Sequence, residues 1–146
     1  VDGIVLPAIA MTPDKDQCSF LNEAGRCSIH MFRPGFCRLF PLGRVYDGTG
    51  FSYFLQTGQC KKEHLAKVKV RQWINIPELK RYEQFVCDWH YFLKDLAKTS
   101  QGLSPELIKT LHSYILKVFY LTPYQDGSDF YDQFYVRLND AKKLFL

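Results

Sequence analysis

Four of the five cysteines lie between positions 18 and 60: Cys18, Cys27, Cys37 and Cys60, with gaps of C-x8-C, C-x9-C and C-x22-C. Sulfur gathered in this way supports three chemistries. Thiolates hold soft or borderline cations, zinc or iron–sulfur clusters above all. They also close as two disulfides in an oxidising compartment. Reduced cysteines, finally, fill apolar space without reacting. The tight C-x2-4-C pairs of zinc fingers and ribbons do not occur here, so spacing leaves the three readings open.

The elements that must position these sulfurs are short. Cys18–Leu21 and Arg26–Ile29 flank Asn22-Glu23-Ala24-Gly25, a pattern that predicts a hairpin with a four-residue loop and Gly25 in the left-handed region. In that register Phe20 faces Cys27 and Cys18 faces Ile29. Cys18 and Cys27 then become diagonal neighbours on one face, roughly 7–8 Å apart at the backbone. A slip of one residue would separate them. Arg33-Pro34-Gly35-Phe36-Cys37-Arg38 predicts a type II turn at Pro-Gly. Arg33 and Arg38 put positive charge beside Cys37, which favours the thiolate. A second hairpin, Arg44–Tyr46 and Phe51–Leu55 around Asp47-Gly48-Thr49-Gly50, precedes Cys60.

Cys18-x8-Cys27-Ser28-Ile29-His30-x2-Arg33-Pro34-x2-Cys37-Arg38-x-Phe40-Pro41 resembles the core of the zinc- or iron-chelating cysteine-cluster (YkgJ-like) family, which is named for a CxxCxxCC motif. The opening Asp2–Pro7 and the run Tyr53-Phe54-Leu55 before Cys60 also fit, so the resemblance covers residues 1–75. The name-giving motif is missing, since the chain holds neither CxxC nor CC. The resemblance implies a cytoplasmic bacterial protein that chelates zinc or an iron–sulfur cluster through Cys18, Cys27, Cys37 and Cys60. More loosely, it implies a likeness to flagellin lysine N-methylases, which would make the protein a methyltransferase carrying an iron–sulfur cluster.

Other candidate groups read as structural. Cys87 and His90 stand three apart on a helical stretch and could share an ion, but ordinary helix packing is the stronger reading. His30 could replace a thiolate; His64 and His112 have no partner in the pattern. Asp14 and Asp16 form a D-x-D in a turn, and Gly48-Thr49-Gly50 lacks the third glycine and βαβ setting of a dinucleotide loop. The net charge of +4 is mild, and Lys61, Lys62, Lys67, Lys69 and Arg71 read as a solvated face rather than a nucleic-acid stripe. No run of apolar residues is long enough to span a membrane. No protein partner is legible.

From Pro77 the apolar period becomes 3.6. Leu79, Tyr82, Val86, Trp89, Leu93 and Leu96, widened by Phe85 and Phe92, predict a helix over 77–98 that stops before Gly102. Ser104-Pro105-Glu106 predicts an N-cap and first turn. Leu107, Leu111, Tyr114, Ile115 and Val118 form that helix's stripe, and Pro123 closes it. A third helix after Asp126-Gly127-Ser128 carries Tyr131, Phe134, Leu138, Ala141 and Phe145. A short helix is expected over 69–75. The expected architecture is α+β, mainly α: one domain over 1–146, with a cysteine-rich hairpin lobe (1–75) packed on a bundle of about three helices (76–146).

Overall fold

The structure, a computed structural model, describes residues 3–14, 17–58 and 66–146. It is α+β and mainly α. The elements are β1 (Met11–Thr12), β2 (Gln17–Cys18), a 3-10 turn (His30–Phe32), α1 (Gly35–Leu39), β3 (Leu42–Tyr46), β4 (Phe51–Leu55), α2 (Val70–Ile74), α3 (Leu79–Thr99), α4 (Pro105–Leu116), a π-turn (Lys117–Leu121) and α5 (Phe130–Phe145). Two compact units are present, Val1–Ala8 with Gln84–Leu146, and Ile9–Glu83. The division falls inside α3.

The helical unit holds the core. Phe92, Leu93, Leu96 and Ala97 of α3 meet Leu111 and Ile115 of α4 and Phe134, Leu138 and Ala141 of α5, with Ile4 and Phe119 completing the cluster. These positions recur at three- and four-residue steps, the spacing that lines one face of a helix. Local chemistry sets the helix starts. The Ser104 hydroxyl accepts from the Leu107 N–H with Pro105 in the first turn, and the Asp129 carboxylate accepts from the Asp132 N–H at 3.0 Å. Pro77 lies just outside α3 rather than in its first turn, because Glu78 takes a left-handed φ of 50° before the helix begins.

The exit from α4 departs from the expected simple stop. The chain continues as a π-turn, in which the Thr122 N–H bonds to the Lys117 carbonyl. Such a turn leaves carbonyls without their usual helical partners. Arg137 of α5 supplies the donors: its guanidinium donates to the carbonyls of Val118 (2.6 Å), Thr122 (2.9 Å) and Pro123 (2.7 Å) and lies 3.8 Å from the Tyr124 ring centre. Arg137→Ala is therefore expected to lower unfolding free energy by on the order of 1.5–3 kcal/mol in a urea titration, since it strands several carbonyls at once. Arg137→Lys should recover little of this, because one ammonium cannot reproduce the planar fork.

The unit Ile9–Glu83 is built differently. Of its large hydrophobic side chains among the described residues, Ile74 alone is buried. Polar and aromatic ties do the remaining work. Arg44 of β3 lies over Phe51, Tyr53 and Tyr82 at 5.2–5.8 Å and donates to the Tyr82 hydroxyl at 3.0 Å. The Tyr53 hydroxyl donates to Glu83 at 3.0 Å; burial first, then that carboxylate, pushes its pKa up to about 12. The β3–β4 hairpin has the expected ends at its loop, with Tyr46 opposite Phe51, while β3 begins two residues earlier than expected, at Leu42. The Asp47 carboxylate organises its loop by accepting from the N–H groups of Thr49 and Gly50.

Candidate metal centre

Cys18, Cys27 and Cys37 come from three separate pieces of chain. Cys18 ends β2, where it stands opposite Met11 of β1. Cys27 forms a single bridge with Leu21. Cys37 lies in the middle of α1. All three are partly exposed free thiols. Cys60, the fourth candidate, lies outside the described residues, as do His64, Asp16, Lys61 and Lys62.

The register around Cys27 differs by one residue from the sequence expectation. Leu21, not Phe20, stands opposite Cys27, and the Asn22 N–H donates to the Arg26 carbonyl at 2.9 Å. The loop is the three residues Glu23–Gly25 instead of four. The cause is Asn22: its carbonyl accepts from the Gly25 N–H at 2.8 Å and its side-chain oxygen from the Arg26 N–H at 2.9 Å, with Gly25 at φ 70°. That Asx arrangement closes the turn one residue earlier. Cys18 and Cys27 are thus not the diagonal pair of one hairpin.

The Cys37 thiol is pushed above its ordinary pKa, first by burial, then by the charges that Cys18 and Cys27 would carry, while Arg33 pulls the other way. Each of the two therefore stands within electrostatic reach of Cys37. Among the described residues, no group of three or more His, Cys, Asp or Glu is drawn close enough to form a finished metal cage. The link among the three is electrostatic: Cys18 and Cys27 each act on Cys37.

The expected Pro-Gly type II turn is absent. Pro34 has φ −57° and ψ 157° and precedes α1, while Gly35 is the first helical residue and keeps a negative φ. Close approach explains Gly35 instead: a Cβ there would overlap the Tyr82 hydroxyl. The Cys37 N–H is consumed by the Pro34 carbonyl at 3.0 Å, so it does not point at a sulfur.

The two arginines divide their work. Arg38 is spent on carbonyls: it donates to Met31 (3.0 Å), Asn75 (3.2 Å) and Arg33 (3.3 Å), tying the 3-10 turn and α1 to the end of α2. Arg33 donates through Nη1 to His30 Nε2 at 3.0 Å, while its own buried Nε has no partner. His30 Nε2 is therefore already an acceptor and is withdrawn from metal ligation. The orphaned Nε–H of Arg33, whose charge acts on Cys37, is the feature that sequence reasoning missed. Only the charge of Arg33, not its unsatisfied donor, was legible in advance.

The remaining candidates stay apart from this cluster in character. Cys87 is buried on α3, and the His90 ring packs edge-on against Tyr91 at 5.1 Å. Asp14 is exposed, and Gly48-Thr49-Gly50 is the β3–β4 loop. Among the described residues, no helix is long and apolar enough to cross a membrane. Comparison with protein-family models, with curated proteins and with solved structures gives no match for this chain.

Proposed function

We propose that the protein binds a metal through Cys18, Cys27 and Cys37, with Cys60 as the fourth thiolate, and that the metal is zinc or the iron of an iron–sulfur cluster. The observation that carries this reading is that three partly exposed free thiols, on β2, the Leu21–Cys27 turn and α1, lie in one compact unit, with the charges of the first two raising the pKa of the third. Two further features fit. A metal bound by several thiolates carries net negative charge, and Arg33, whose charge acts on Cys37 and whose Nε–H is unpartnered, is a donor of the right sign. The unit Ile9–Glu83 buries one large hydrophobic side chain among its described residues, too little to hold a loop-rich lobe together, which is the situation in which metal binding supplies folding energy.

On this reading Ile9–Glu83 is a cysteine-rich, metal-organised lobe, and the protein works in a reducing compartment such as the bacterial cytoplasm, where thiols persist. The four thiolates suit a tetrahedral zinc ion or a [4Fe–4S] cluster equally. Protein purified without oxygen and subjected to metal analysis and absorption spectroscopy decides between them. One zinc per chain and no colour is expected for a structural site; iron, sulfide and a broad visible band are expected for a cluster. Neither metal in stoichiometric amount would sink the proposal. Because the Cys37 thiol is held above its ordinary pKa in the metal-free site, binding must displace protons, so metal affinity is expected to rise with pH through the neutral range.

A further inference from the structure

The unit Ile9–Glu83 contains a second feature that the metal reading leaves unused. A groove of about 440 Å³ runs along the β3–β4 hairpin and α2, lined by Leu42, Leu55, Val68, Val70 and Trp73, with Lys67 at its edge. Its size and lining are those of a small-molecule site: apolar walls with very few polar groups. Leu55, Val68 and Trp73 are each about half exposed (52%, 48% and 45%), so an occupant would cover apolar surface now facing water. The indole of Trp73 is fixed, because its N–H donates to the Phe40 carbonyl at 3.0 Å. The ring therefore offers a flat wall and no spare donor.

Charge selects the occupant. Among the described residues, Lys67 has no hydrogen-bond or ion-pair partner and is the one charged group lining the groove. Residues 66–77 also contain Lys69 and Arg71 and no Asp or Glu. An apolar body with a single anionic head satisfies both the walls and the free ammonium. A neutral body would leave the ammonium unpaired, and a cationic one would be repelled.

We propose that this groove binds a small amphiphilic carboxylate, an alkyl or aryl chain ending in one carboxylate, with the chain along Val68, Leu55 and Trp73 and the head at Lys67. The groove shares no residue with the proposed metal site among the described residues, since neither Cys18, Cys27 nor Cys37 lines it.

Decanoate is the probe, followed by tryptophan fluorescence, with decanol and decyltrimethylammonium as neutral and cationic counterparts. Saturable binding is expected for decanoate, about tenfold weaker binding for decanol, and weaker still for the cation, one charge-assisted contact being worth roughly a factor of ten. Trp73→Phe should abolish the optical response. Lys67→Glu should weaken decanoate at least tenfold while leaving decanol unchanged, and Val68→Asp should weaken both; Lys67 and Val68 are exposed, so neither change threatens folding. Equal affinity for all three probes, a response that survives in Trp73→Phe, or no saturation below the micellar limit of decanoate would each overturn the proposal.

Discussion

Cys37→Ser is expected to strip the protein of most of its metal and to lower the thermal stability of the unit Ile9–Glu83. Loss of a residue that merely supports a ligand costs roughly 10–100-fold in metal affinity, so loss of a ligand should cost at least about 100-fold. Cys37 is the sharpest of the four positions to test. It lies on α1, and it is the thiol whose pKa responds to the charges of Cys18, Cys27 and Arg33. The stability effect follows from the thin apolar core of this unit. Where one large hydrophobic side chain is buried, binding free energy is close to folding free energy. Cys60→Ser should act in the same direction if it is the fourth ligand. Cys87→Ser, on the buried face of α3, should leave metal content unchanged. Metal analysis of the purified variants, with thermal melts before and after chelation, reads all three. A Cys37→Ser protein that keeps its full metal complement would exclude Cys37 as a ligand and undo the site.

Phe134→Ala is expected to be the most damaging single change in the helical unit, at about 3–5 kcal/mol of unfolding free energy. Phe134 is 3% exposed and stands at the centre of an aromatic cluster. Its ring meets Phe85 at 4.6 Å, Trp89 and Phe119 at 5.8 Å and Phe130 at 6.2 Å. Removing it opens a cavity and breaks several edge-on ring pairs, which are worth about 0.5–1.5 kcal/mol beyond area burial in favourable cases. Against a total stability of about 5–15 kcal/mol, such a loss brings the unit close to unfolding at ambient temperature. Val136→Ala lies two residues away on the same helix but is 63% exposed, so its change should stay within about 0.5 kcal/mol. Urea unfolding followed by circular dichroism compares the two, and similar midpoints would show that the ring cluster does not carry the unit.

The contrast between these two units is also the contrast between what sequence reveals and what it does not. The sequence by itself determined the three long helices. Their apolar spacing, the Ser104–Pro105 start and the stop before Gly102 (φ 90°) all rest on interactions within four residues of one another. The β3–β4 hairpin was legible for the same reason, its loop being closed by the Asp47 side chain three residues or fewer away. Phe119 escaped the apolar stripe read for α4, which ended at Val118, because the chain beyond it turns by an irregular π step whose carbonyls are satisfied by Arg137 from another helix. Tertiary structure alone decided the surroundings of the cysteines. A single Asn22 side chain shifted the Cys27 register by one residue, and Gly35 answers to the Tyr82 hydroxyl rather than to a turn. That Cys18 and Cys27 come within reach of Cys37 depends on how β2, the Leu21–Cys27 bridge and α1 pack. Short elements carry too few local contacts to fix their mutual placement, so residue spacing could nominate candidate sulfurs but not say how they are placed.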